Sequence, residues 1–216
     1  ATGDIKVVGT GSYVVNNVRS QATGNGGNIN ITTGSFSLTD GAQLVTNTLG
    51  QGNAGNVSLR ASGAVELAGY NTVVLSSVEP GGVGKGGNID IKAATFSLKD
   101  GAQLVTIIRE ASSTQPAGSG NAGNVTIDVK GPVTIAGVKD GLSSAILSNV
   151  GTGIVGNGGN ITISSNSFSL SDGARVQART YGQGNAGNLF IKADELVEVV
   201  NSRGKIAAVT SLNTET

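Results

Sequence analysis

One short pattern, written six times, constrains this chain more than anything else in it. A glycine-asparagine corner is followed by an apolar residue, any residue, and a second apolar residue. The copies end in Asn28-Ile29-Asn30-Ile31, Asn56-Val57-Ser58-Leu59, Asn88-Ile89-Asp90-Ile91, Asn124-Val125-Thr126-Ile127, Asn160-Ile161-Thr162-Ile163 and Asn188-Leu189-Phe190-Ile191. Glycine adopts backbone angles that a side chain forbids, so it marks a fixed corner. The apolar alternation behind it has the period of a half-buried strand. A corner and a strand repeated along one chain predict a solenoid.

The six asparagines that open these strands are 28, 32, 36, 36 and 28 residues apart. Odd and even coils differ, so the true repeat is a pair, giving paired repeats at 24–83, 84–155 and 156–216 within a single domain over 1–216. The first kind of coil carries Phe36-Ser37-Leu38-Thr39-Asp40-Gly41-Ala42, echoed from Phe96 and from Phe168. The second kind carries Val65-Glu66-Leu67, Val133-Thr134-Ile135 and Val197-Glu198-Val199. Ile5-Lys6-Val7 matches the second kind, so the chain reads as entering partway through a coil, a segment of a longer shaft.

Each coil holds three short alternating runs, such as Ile29 to Ile31, Phe36 to Leu38 and Ala42 to Thr46. Stacked coil on coil, they predict an all-β fold: a right-handed parallel β-helix of about seven coils, with three parallel sheets around a narrow core. At about 4.8 Å per coil the rod is roughly 34 Å long. Hydrophobic residues at 38 % suffice for such a core, whereas aromatics at 3 % leave little for a bulky globular one. Asn28, Asn56, Asn88, Asn124, Asn160 and Asn188 fall in register, one per coil, and are expected to hydrogen-bond along the axis as an asparagine ladder. Phe36, Phe96 and Phe168 recur in alternate coils with valines between them, a core that alternates large and small side chains.

Composition narrows the chemistry. Fourteen basic and fourteen acidic residues cancel, so the chain has no electrostatic footprint for nucleic acid or an anionic membrane surface. No apolar run reaches the length of a membrane span, so no membrane insertion is expected, and the opening residues do not read as a secretion signal. Histidine and cysteine are absent, which removes Ser-His-Asp and Cys-His catalysis and the usual zinc ligands. Asp40, Asp100 and Asp172 recur before glycine, which is ordinary turn chemistry. Their backbones are expected about 9.6 Å apart along the rod, a ladder with no distinct site. Asp90 stands in a glycine-rich context that superficially resembles calcium-binding repeats, but its sister positions are Asn30 and Thr162. No catalytic residue, metal ligand or cofactor is therefore expected.

Two irregularities leave the repeat, and loops on a rigid scaffold are where recognition concentrates. One runs from Ile107 to Ser119, where the sister coils cross with only Asn47 to Gln51 or Arg179 to Gln183. The other, Val138 to Ser144, lies one coil later at a different corner. Arg109, Glu110, Gln115, Lys139 and Asp140 are the recognition candidates on them, with Tyr181 and Phe190 as exposed-aromatic candidates.

The paired pattern G-N-G-G-N-I-x-I…F-S-L-x-D-G-A-x-L, then G-x-G-N-A-G-N-V-x-L, resembles the shaft repeats of cyanobacterial filamentous-haemagglutinin-like exoproteins of the two-partner secretion group. The resemblance covers nearly the whole chain and implies a β-helical shaft of an extracellular or cell-surface fibre serving adhesion. The group's secretion domain with its asparagine-proline signatures is not in this chain. The partners expected are neighbouring copies, or a continuation of the same rod end to end, and surface or matrix polysaccharide. The alternative is a β-helix that binds or cleaves carbohydrate, which a lone groove with clustered acids and a base would favour.

Overall fold

The computed structural model describes residues 3–200 and the backbone of two further strands at 206–207 and 209–214. Residues 201–205, 208 and 215–216 of the last repeat lie outside that description. The chain opens with β1 (Ile5–Val8) and β2 (Tyr13–Val18). The next coils contribute β3 (Ile29–Thr33), β4 (Phe36–Thr39) and β5 (Gln43–Thr48), then β6 (Val57–Ala61), β7 (Ala64–Ala68) and β8 (Val73–Val78). Then come β9 (Ile89–Ala93), β10 (Thr95–Lys99) and β11 (Gln103–Ile108), followed by β12 (Val125–Val129) and β13 (Pro132–Ala136). A small hairpin, β14 (Val138–Lys139) and β15 (Leu142–Ser143), precedes β16 (Ala145–Val150). The series closes with β17 (Ile161–Ser171), β18 (Arg175–Thr180), β19 (Leu189–Val200), β20 (Ile206–Ala207) and β21 (Val209–Thr214).

Every strand outside the hairpin pairs in parallel with its counterpart one coil away, so the chain is a β-solenoid of about seven turns. The third face is a separate seven-stranded sheet, β2-β5-β8-β11-β16-β18-β20. The first and second faces, expected as two sheets, are joined into one of twelve strands because β17 and β19 run unbroken through the corner between them. Gly34, Gly63 and Gly131 interrupt the strands at that corner in earlier coils. In β17 it is turned by Ser165-Asn166-Ser167 with a register shift, so the strand bends without ending.

The core follows the repeat. Phe36, Val65, Phe96, Val133, Phe168 and Val197 are successive register partners, and the three phenylalanines are fully buried. Large rings two coils apart leave gaps that only a smaller side chain fills, and valine sits in each gap. The third face departs from plain alternation. Behind its inward aliphatic column stand Thr46, Ser76, Thr106 and Ser148, all completely buried.

These hydroxyls serve the glycine corner. Thr46 Oγ1 and Ser76 Oγ both donate to the Gly55 carbonyl, at 2.6 and 3.2 Å. Thr106 Oγ1 and Ser148 Oγ do the same to the Gly123 carbonyl, at 2.7 and 3.1 Å. Each serine also accepts from the next corner, from Gly87 N at 2.8 Å and from Gly159 N at 2.9 Å. One threonine and one serine thus close the corners of two coils, a physical reason for the repeat to be a pair. Glycine is compulsory there, since a Cβ at Gly55, Gly87, Gly123, Gly159 or Gly187 would collide with the carbonyl oxygen of the glycine one coil before.

Candidate functional site

The six ladder asparagines stand in one column, but the link is not amide to amide. Asn28 Oδ1 accepts from the backbone N–H of Asn56 at 2.9 Å, and the pattern repeats through Asn88, Asn124 and Asn160 to Asn188 at 2.8–2.9 Å. A backbone N–H at the corner precedes the strand ladder, and the side-chain oxygen below acts as its missing carbonyl. A second column, which the sequence reading missed, does the same three residues earlier. Asn25, Asn53, Asn121 and Asn157 each accept from the backbone one coil on, at 2.8–2.9 Å. Lys85 takes the asparagine place once and offers no acceptor to Asn121.

The carboxylates lie in turns. Asp40, Asp100 and Asp172 have φ of 57, 55 and 53°, and the following glycines are also positive at 87, 83 and 82°. Ala42, Ala102 and Ala174 close the turns by donating to the residue before each aspartate, at 3.0–3.1 Å. Two successive positive φ values are the mark of a type I′ turn, which Asp-Gly favours. Asp90 lies between Ser58 and Thr126 in an outward column. In the adjoining column Lys92 pairs with Asp128 at 3.1 Å, both exposed. Among the described residues no three His, Cys, Asp or Glu side chains cluster as a metal site would need.

The two insertions frame opposite edges of the third face. Val138 to Ser143 form the hairpin β14–β15, turned by Asp140 and Gly141 with φ of 51 and 80°. Lys139 and Asp140 therefore sit at its tip. The hairpin replaces Tyr70-Asn71 without disturbing the corner. Ser144 N still donates to Gly137 O at 3.0 Å, and Ser144 Oγ still receives Gly101 N at 3.0 Å, as Thr72 receives Gly41 N.

At the other edge residues 109–118 leave and rejoin the rod, with Gly118 N donating to Arg109 O at 2.9 Å. Inside the loop Ser112 Oγ accepts from Thr114 N and Gln115 N at 3.3 and 3.0 Å. Pro116 O accepts from Gly81 N at 2.8 Å, and Gln115 lies beside Gly81 in the coil below. Arg109 Nε meets both carboxylate oxygens of Glu79 at 3.0–3.1 Å, and Ser77 Oγ fixes that carboxylate at 2.6 Å. Glu79 is mostly buried, so the guanidinium is held by a partner with little freedom of its own.

This loop walls a cleft of about 470 Å³ with Arg109, Glu110 and Ser112 on one side and Asn149, Thr152 and Tyr181 on the other. A smaller depression of about 350 Å³ adjoins it through Ile107 and Arg109, crosses Val105 and Leu147 and ends at Leu142 of the hairpin. Arg109, Glu110 and Tyr181 are thus brought together, whereas Gln115, Lys139 and Asp140 are not. Phe190 is partly covered, between Thr162 and Ser211 in its column. Glu79 and Asn149 escaped the sequence reading because they belong to ordinary coils. The signal that finds Asn149 is register, since Ser77, Ile107, Asn149 and Arg179 are successive partners across the sheet.

Compared with protein-family models, with curated proteins and with solved structures, the chain has no match.

Proposed function

We propose that this chain is a shaft segment of a secreted filamentous adhesin, carried at a cell surface or in an extracellular matrix. One observation carries the reading: outside the small hairpin, each strand's ladder partners lie in the coil immediately before or after it. Stability in such a stack is a sum of nearest-neighbour terms, so length grows coil by coil with no new long-range packing. The resemblance of the paired repeat to filamentous-haemagglutinin-like shafts agrees with that use. In the first coil Val14 is 39 % exposed, whereas Leu44 and Val74, its successors in the same inward column, are fully buried. Such an uncovered coil favours end-to-end contact with a neighbouring copy or with further coils.

Imaging the full-length parent on and off the producing cell tests this. A thin unbranched rod continuing beyond this segment is the expected result, and a compact particle on or inside the cell refutes it. Concentration-dependent end-to-end association of the isolated segment is a second expected outcome. A β-helix that binds carbohydrate is the other reading, and the cleft beside the 109–118 loop favours it. Cleavage has less support, because the recurring carboxylates are spent on turns and lie outside that cleft.

A further inference from the structure

The cleft beside the 109–118 loop has a donor and acceptor pattern that selects among ligand classes. Arg109 uses Nε on Glu79, and its two terminal amino groups make no hydrogen bond among the described residues. Asn149 lines the same cleft, and its Oδ1 is closed off from solvent without a hydrogen-bond partner. A half-turn about the last side-chain torsion, soft for asparagine, exchanges Oδ1 and Nδ2, so this amide can offer a ligand either an acceptor or two donors. Tyr181 is 56 % exposed, and Arg179 Nη1 donates to its hydroxyl at 3.1 Å, which steadies the ring.

A carboxylate or phosphate ligand would accept from Arg109 but would meet the charge of Glu110, which lines the same cleft. An apolar ligand would leave Arg109 and Asn149 both unsatisfied, which is costly once water is displaced. A neutral ring bearing hydroxyls satisfies all three groups. Its hydroxyls both donate and accept, and its C–H face lies on an aromatic plate. The volume is within the usual range for a small-molecule site, about 300–1,000 Å³.

We propose that this cleft binds a neutral pyranose unit of a polysaccharide, with Arg109 donating to ring hydroxyls, the Asn149 amide hydrogen-bonding to one, and Tyr181 stacking on the ring. The proposal rests on the carbohydrate-binding reading and is independent of the filament reading. A shaft seen by imaging with no saccharide affinity removes this proposal alone. Saccharide affinity in a chain whose parent is not a rod removes the other.

The test is calorimetric titration of the whole chain with neutral glucan, mannan and xylan oligosaccharides, against oligogalacturonate of equal length. At least one neutral oligosaccharide is expected to bind with a Kd below about 1 mM. Tyr181→Ala and Asn149→Ala are expected to weaken it by about tenfold or more with unchanged melting. Tyr181→Phe retains the plate and is expected to bind nearly as well, and Tyr70→Ala, at a remote corner, to change nothing. No binding of any neutral oligosaccharide up to about 10 mM, a preference for oligogalacturonate, or affinity unmoved by both alanine substitutions overturns the proposal.

Discussion

Thr106 and Ser148 give the sharpest test of how the corners are held. Both hydroxyls donate to the Gly123 carbonyl, and Ser148 Oγ alone also receives Gly159 N–H. Both side chains are completely buried, so water has no ready access to the groups left behind. Thr106→Val removes one bond, but Gly123 O keeps Ser148; the expected cost is about 0.5–1.5 kcal/mol. Ser148→Ala leaves Gly123 O with Thr106 yet orphans the Gly159 N–H, an expected cost of about 1–3 kcal/mol. The double variant strips Gly123 O of both side-chain donors. Its cost is therefore expected to exceed the sum of the singles by about 1 kcal/mol or more, since a second buried polar group becomes unsatisfied. Urea unfolding measures the totals, and hydrogen exchange at the Gly159 amide supplies a local readout if the stack does not unfold in one step. Exchange at Gly159 accelerates in Ser148→Ala and not in Thr106→Val. Additivity within about 0.5 kcal/mol, or equal exchange in both singles, would show that the hydroxyls are not what closes the corner.

Three further outcomes follow from the same stacking. Phe96→Ala opens a cavity between Val65 and Val133 and is expected to cost about 3–5 kcal/mol in denaturant unfolding; a cost under about 1 kcal/mol would mean the column repacks freely. Lys85→Asn completes the outer asparagine column by offering an acceptor to Asn121 N–H, with an expected gain of about 0.5–1 kcal/mol at this exposed site; lower stability would refute the account of that column. At Asn157-Gly158, Asn185 donates its N–H to Asn157 Oδ1 and accepts from Gly158 N–H, both at 2.9 Å. One backbone residue thus holds both groups that would form a succinimide, so deamidation at mild alkaline pH is expected to be far slower in the folded chain than in urea. Equal rates by mass spectrometry would refute that protection.

How much of this was legible beforehand differs from feature to feature. Ile29 and Ile31, recurring at a fixed distance behind glycine, marked strands because a half-buried strand alternates with period two. Phe36, Phe96 and Phe168 marked one core column because nothing but a stack places them together. Asp-Gly read as a turn, and the positive φ of Asp40, Asp100 and Asp172 agrees. The asparagines read as a column too, although the partner is the backbone N–H one coil on, which composition does not reveal. Thr46 and Ser76 looked like strand residues of no special polarity. Their burial is explained by the corner groups they meet, the Gly55 carbonyl nine and twenty-one residues away and, for Ser76, the Gly87 N–H.

The sequence alone, through repetition, determined the strands of the regular coils, their parallel stacking and the identity of the core columns, but not the β14–β15 hairpin or the two strands that run through a corner. A repeat forces equivalent residues into equivalent environments, so one coil predicts the next. Only the tertiary structure decided where the insertions lead, because an insertion breaks that equivalence. Arg109 could be seen leaving the repeat, but its partner Glu79 is in the coil below and Tyr181 stands beyond the coil above. The cleft they share depends on the distance between coils, a property of the packed rod that neither residue carries in its own surroundings.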